Sequence, residues 1–285
     1  MKESVFIVGC GDVGERLGRR LSADGHPVTA LVRDPARARR LAARGLSVVC
    51  ADLDRPTHLA PVRAQWLFYL APPPPEGLGD PRLGRFLAVQ ALDPPPVFVL
   101  VSTTAVYGDA GGDWVDETRP PAPGSERGHR RLDAERRAQR AARQWDSRLA
   151  ILRVAGIYGP GRLPRARLER GEPVLAPEHS PPSNRIHVDD LVDACIAAAR
   201  RGEGVYNAAD GHPTPMADYF DRCADLLGLP RPPRIDMETA RARLSPAMLG
   251  YLSESRRIDN RRLLRLLGHP LRYPDLAAGL PACLD

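Results

Sequence analysis

Three glycines at fixed spacing, Gly9, Gly11 and Gly14, are the residues of this chain whose chemistry is easiest to name. They follow the apolar run SVFIV and open a helical pattern, ERLGRRLSADG. A strand, G-x-G-x-x-G and a helix in that order hold the pyrophosphate of a dinucleotide. Gly9 permits the tight turn, Gly11 lets backbone approach the phosphates, and Gly14 lets the helix lie close to the strand. The helix start at Asp12 and Val13 then offers free N–H groups and the positive end of the helix dipole. The next apolar run, VTALV, ends at Val32 and is followed by Arg33. A carboxylate at that place would hold a ribose 2′-hydroxyl, whereas a guanidinium matches a 2′-phosphate. Arg33 therefore predicts NADP(H) in preference to NAD(H), with Arg37 as a second contact. Asp34 is the residue that could still reach the ribose. A second set of candidates is Ser102 and Thr103, at the carboxyl end of the run Val97–Val101. In open α/β sheets the carboxyl ends of strands are where ligands sit.

These residues need a scaffold, and the chain supplies one. Short apolar runs recur at 4–9, 28–32, 46–50, 66–70, 97–101, 149–154 and 204–207, separated by helical patterns. That alternation predicts an α/β fold, a Rossmann-like doubly wound parallel sheet. The fourth run ends at Leu70 and Ala71 and enters Pro72–Pro75, a rigid loop poor in N–H groups that would pass the nicotinamide end of the cofactor. The third run closes on Asp52, which either lies near the adenine or caps a short helix. Other proline-rich stretches, at 94–96, 120–123 and 230–233, fall between periodic segments and read as loops.

The stretch VSTTAVYGDAGGDWVDETRPPAPGSERGHRRLDAERR resembles the active-site frame of the extended short-chain dehydrogenase/reductases, the NAD-dependent epimerase/dehydratase family. The runs LRVAGIYGPGR, NRIHVDDL and SRRIDN, in that order and spacing, extend the resemblance over most of the chain. It implies a dinucleotide-binding core at 1–159 plus 186–210, and a smaller substrate lobe with a C-terminal tail at 160–185 plus 211–285. It places Tyr107, Tyr158, Arg162 and Arg185 on the substrate side, and Asp189 as the cap of the helix LVDACIAAAR. It also implies a Ser or Thr at Thr103, then a Tyr-x-x-x-Lys pair. Here the Tyr position is Arg127 and the Lys position is Arg131, with Glu135 where the family helix often carries Glu. Arg131 could still hold the nicotinamide ribose. Arg127 cannot cycle a proton near pH 7 and can act only as a clamp or polarising group. Tyr107, Tyr158 and His129 are the alternative acids. The segment from Gly161 to Ile186 is short for a lobe that wraps a whole nucleotide-sugar.

Bulk properties narrow the remaining classes. The chain has 285 residues, 43% hydrophobic, enough for one two-lobed domain with a large core. A net charge of +6 invites a nucleic-acid reading. Lys2 is the only lysine, however, and runs such as Arg37–Arg40 and Arg136–Arg143 sit beside alanines on helical patterns without interleaved aromatics. Solvated helix faces account for them. No run of eighteen apolar residues occurs, so neither a membrane span nor a signal peptide is expected, and the expected location is cytoplasmic. The five cysteines are scattered without a Cys-x-x-Cys pair, which predicts reduced thiols and no metal site. The sequence thus predicts an NADP(H)-binding oxidoreductase or epimerase acting on a small molecule, anionic or sugar-derived, with a homodimer allowed. A non-catalytic redox-sensing or scaffold protein is the alternative, and nucleic-acid binding a distant one.

Overall fold

Runs of four to seven apolar residues become the strands of one sheet, because strands covered by helices on both faces need apolar side chains on both. The computed structural model describes residues 2–243, 249, 252 and 254–284. Its central strands are β1 (Val5–Val8), β2 (Val28–Val32), β3 (Ser47–Cys50), β4 (Trp66–Tyr69), β5 (Val97–Thr103), β7 (Arg148–Val154) and β12 (Gly204–Ala208), in the order β12-β7-β5-β4-β1-β2-β3. The pairs β1–β2, β1–β4, β2–β3 and β4–β5 are parallel, with Val5 opposite Val28 and Trp66. The order reverses at β1, which is the switch point where such sheets take ligands. β5 runs two residues further than the apolar pattern suggests, so Ser102 and Thr103 belong to the strand itself.

Contacts divide the chain into two units. The first comprises 1–106, 126–153 and 191–206, and the second 107–125, 154–190 and 207–285. The expected division at 159, 186 and 210 differs from this chiefly in segment 107–125. That segment joins the second unit because β6 (Trp114–Val115) pairs in parallel with β15 (Arg257–Ile258), and Asp109 accepts the Ser255 N–H at 2.8 Å. Residues 244–248, 250, 251, 253 and 285 of the expected lobe lie outside the described residues.

In the first unit, helix α1 (Asp12–Ala23) buries Gly14, Leu17, Gly18 and Leu21, the spacing of one helical face. Helices α2 (Pro35–Ala42) and α3 (Pro81–Gln90) each start with proline after an aspartate cap, Asp34 and Asp80. Helix α4 (Glu126–Trp145) lays Ala134, Ala138 and Ala141 into a core with Leu83, Phe86, Leu67, Tyr69, Phe98 and Leu100. Small residues on α4 let it sit close to the strand ends that carry the site.

In the second unit, short parallel pairs frame α7 (Met216–Leu227). They are β8 (Gly156–Tyr158) with β11 (Arg185–His187), and β9 (Val174–Leu175) with β14 (Arg234–Ile235). An antiparallel pair joins β10 (Pro182–Ser183) to β13 (Thr214–Pro215). Tyr158, Leu168, Val174, Phe220, Cys223 and Leu276 form its core. Asp189 does not cap the helix that begins at Val188. His187 does, its Nδ1 accepting the Asp189 N–H at 3.2 Å, because Asp189 already lies inside the first turn. Among the described residues no helix is long and apolar enough to cross a membrane.

Candidate dinucleotide site

The glycine loop has the geometry that a pyrophosphate requires. Gly9 has φ +82°, and a Cβ there would press on the Ala71 nitrogen and lie 2.5 Å from its Cα. The turn therefore tucks against the β4 end at Ala71, and only glycine fits. At Gly14 a Cβ would meet Ile7 Cγ2 at 3.2 Å and the Gly9 oxygen at 3.3 Å, so α1 approaches β1 more closely than a side chain allows. Gly11 is different: its Cβ would find only the Gly9 oxygen, at 4.0 Å. That open space above the loop admits a ligand. No side chain caps α1, so the Val13 amide in its first turn is left for an anion. The residues present fit a dinucleotide. The Cys10 thiol within the loop is buried, and burial pushes its pKa up to about 12, so it stays neutral beside the phosphates.

Arg37 and Asp34 do work that the sequence did not reveal. The Arg37 Nε donates to the Cys10 carbonyl at 2.7 Å and its Nη2 to Glu15 at 3.0 Å; Arg44 also pairs with Glu15. Arg37, expected as a second phosphate contact, braces the glycine loop from α2 with its Nε and Nη2. Asp34 accepts the N–H groups of Ala36 at 2.9 Å and Arg37 at 3.3 Å, which commits both its oxygens to the cap. Arg33 is exposed, and among the described residues its side chain makes no hydrogen bond. Asp52 accepts the Asp54 N–H at 3.0 Å in a turn, and the 3-10 turn nearby starts only at Pro56. Asp54 is in turn pinned by Arg82 at 2.6 Å and Arg85 at 2.8 Å. Those guanidiniums hold its carboxyl below the ordinary range, the Arg82 hydrogen bond first.

At the same carboxyl end of the strands, Leu70 is half-buried and Ala71 buried, and Leu70 N–H donates to the Val8 carbonyl at 2.8 Å. Thr103 is 9% exposed and its Oγ1 accepts the Ala105 N–H at 3.3 Å. Ser102 turns the other way, as neighbours on a strand must. Its hydroxyl donates to Glu135 Oε1 at 2.6 Å, and Glu135 also takes Arg153 through Nε at 3.1 Å and Nη2 at 2.8 Å. All three are at least 96% buried. Ser102, expected among the catalytic residues, is therefore part of a buried brace between β5, α4 and β7. Arg153 was a legible signal, a charge inside the apolar run LAILRV, but its partner was not.

The arginine pair sits one helical turn apart on α4. Arg131 is half-buried and its Nη1 donates to the Val101 carbonyl at 3.1 Å and the Ala71 carbonyl at 3.4 Å. It ties the ends of β4 and β5 together. Burial pushes its pKa below the usual guanidinium range, with Arg127 adding to the effect against Asp80, yet a guanidinium remains charged near pH 7. Arg127 and His129 are both exposed.

In the second unit, Tyr107 and Tyr158 are corrected from substrate contacts to core residues. Both are fully buried; Tyr107 donates to Asn207 Oδ1 at 2.8 Å and Tyr158 to the Asp275 carbonyl at 3.2 Å. Tyr158 fits only because Gly279 lacks a side chain, and burial raises its pKa. Arg162 is half-buried, its N–H donating to the Gly159 carbonyl at 3.0 Å. Arg185 is 8% exposed, with its guanidinium carbon 3.5 Å from the centre of the Tyr219 ring. Among the described residues no group of three or more His, Cys, Asp or Glu could hold a metal ion.

Comparison with known proteins places this geometry. Residues 5–65 match the TrkA-N domain model and residues 86–209 the model of the NAD dependent epimerase/dehydratase family. A 3-diazoavenalumate denitrifying reductase from Streptomyces sp is 31% identical, over 97% of this chain and 98% of its own. Among solved structures, a functionally unknown conserved protein from Silicibacter pomeroyi DSS superposes with a TM-score of 0.81 at 32% identity, covering 99% of this chain and 98% of that one. MoeE5, solved in complex with UDP-glucose and NAD, gives a TM-score of 0.76 at 25% identity, covering 98% and 96%. With its glycine loop, parallel sheet and matches along nearly its whole length, the chain belongs to the NAD-dependent epimerase/dehydratase family.

Proposed function

We propose that this protein is an NADP(H)-dependent reductase that delivers hydride to a small molecule in a step requiring no side-chain acid. The observation that carries the reading is the pair at the Tyr and Lys positions, Arg127 and Arg131, two permanent cations that cannot supply and recover a proton near pH 7. Three acids act electrostatically on Arg131, namely Asp80, Tyr69 and Glu135, and all are buried out of a substrate's reach.

Nicotinamide, when bound in reduced form, supplies the hydride. The chain's own residues bind and orient. The Val13 and Gly14 amides at the start of α1 hold pyrophosphate, and exposed Arg33 takes the 2′-phosphate while Asp34 is held in its cap. Arg131 fixes the Ala71 and Val101 ends that shape the floor of the nicotinamide end, and Thr103 offers one hydroxyl there. Arg127 stabilises negative charge that develops on the substrate.

The Streptomyces relative is named for a denitrifying reduction of a diazo acid. Such chemistry balances without an acid. Hydride brings both electrons of a new C–H bond to a diazonium carbon, the C–N bond breaks, and its electron pair leaves with N2. The test is NADPH consumption and N2 release with an aryl diazonium carboxylate. Turnover lost in Arg127→Ala supports the reading. Turnover that appears only in Arg127→Tyr, or NADPH binding with no turnover of this class, favours a cofactor-binding sensor instead.

A further inference from the structure

The second unit holds a buried arginine, Arg185, whose guanidinium makes no hydrogen bond or ion pair among the described residues. Asn184 turns its side chain toward residues 256–258, with Nδ2 donating to the Arg256 carbonyl at 2.9 Å and Oδ1 accepting the Ile258 N–H at 2.8 Å. In extended backbone its neighbours, Ser183 and Arg185, leave on the opposite side. Arg185 lies flat over the Tyr219 ring, and Gly156, its partner in the β8–β11 register, keeps the space beside it clear. A Cβ at Gly156 would come within 3.4 Å of Arg185 Nη1.

The plane of the guanidinium is therefore set, but its edge is unused. Among the described residues Arg185 makes no side-chain hydrogen bond or ion pair. Its Nε is sealed without an acceptor, and the two terminal nitrogens, equally unpaired, are not sealed. A cation nine-tenths buried without an anion is costly, and stacking on one ring returns only part of that cost. Ser183 Oγ, Thr214 Oγ1 and Asp210 Oδ2 are among the other buried atoms without hydrogen-bond partners among the described residues. Ser183 and Thr214 face each other across the β10–β13 pair, and the Asp210 N–H donates to the Arg185 carbonyl at 2.7 Å.

We propose that Arg185, stacked on Tyr219, is the seat of a small-molecule carboxylate in the second unit. The fork of a guanidinium pairs with a carboxylate through two parallel N–H bonds. Carboxylate is favoured over phosphate by charge. The acid Asp210 lies electrostatically close to Arg185, so a singly charged anion suits the site better than a dianion.

Two probes with the same ring test it on the full chain: benzoate and phenyl phosphate, titrated by calorimetry with NADPH present and absent. Benzoate should bind saturably and more tightly than phenyl phosphate. Arg185→Met should weaken benzoate by about ten- to hundredfold, the loss expected for a charge-assisted pair, with NADPH affinity unchanged. Should Arg185→Met not fold, the parent protein still decides the matter. Benzoate should slow modification of Arg185 by phenylglyoxal, read by peptide mass, while exposed Arg33 reacts at its usual rate. Equal benzoate affinity in Arg185→Met, tighter binding of phenyl phosphate, or unprotected Arg185 would overturn the proposal. Loss of NADPH binding in the parent, with Arg185 still protected, would instead remove the reductase reading.

Discussion

Replacing Gly9 and Gly11 separately by alanine separates folding from cofactor binding within one loop. At Gly9 the substitution meets two penalties. The backbone has φ +82°, left-handed space that costs an L-residue about 1–2 kcal/mol. The new methyl also runs into the backbone of Ala71, 2.5 Å from its Cα, and backbone cannot swing aside. Overpacking of that kind typically costs about 1–3 kcal/mol, for a total of about 2–5 kcal/mol. At Gly11 neither penalty applies. Its φ is −75°, and the methyl meets nothing closer than 4.0 Å. It occupies the space kept for the pyrophosphate and should weaken NADPH by roughly ten- to hundredfold through displaced amide–phosphate bonds. Urea denaturation followed by circular dichroism and NADPH fluorescence titration measure the two effects. Gly9→Ala with parental stability, or Gly11→Ala with parental NADPH affinity, would refute the assignment of these roles.

Other outcomes follow from single contacts. Arg33→Ala should cost NADPH roughly ten- to hundredfold while leaving NADH unchanged, in side-by-side titrations; an unaltered ratio would remove the 2′-phosphate assignment. Glu135→Ala leaves Arg153, 4% exposed, without its carboxylate and should lower unfolding free energy by about 3–5 kcal/mol. Glu135→Ala combined with Arg153→Met should recover most of that loss in the same denaturation assay. Burial raises the Asp210 pKa from 3.8 to about 7, so the native state keeps a proton that the unfolded chain has released. Stability should therefore fall as pH rises from about 4 to about 7. Asp210→Asn should exceed the parent by at most about 4 kcal/mol at pH 8 and by nothing at pH 4, measured by denaturant titration at each pH.

Much of this fold is written locally. The glycine spacing, the apolar runs and the aspartate–proline helix starts are properties of adjacent residues, and strand and helix follow from them. Long-range side-chain partners are not written that way. Arg37 reads as a phosphate ligand from its place on α2, and only the folded chain brings Cys10 and Glu15 within its reach, 27 and 22 residues back. Ser102 and Thr103 are chemically alike and adjacent, yet strand alternation sends one to Glu135 and the other away from it. Tyr107 and Tyr158 look available for chemistry because tyrosine is amphipathic, and burial removes them. Segment 107–125 changes unit through a two-residue pairing with β15, too short to leave a pattern.

The central claim is hydride transfer without a tyrosine acid, and the pH dependence of kcat tests it most directly. Parent protein would turn over an aryl diazonium carboxylate with saturating NADPH between pH 6 and pH 9. Arg127 and Arg131 stay charged throughout and a threonine hydroxyl does not titrate there, so kcat should be flat. A kcat that falls with one ionisation in that range, and loses that dependence when a single acidic side chain is replaced, would show that a proton donor operates and would contradict the account.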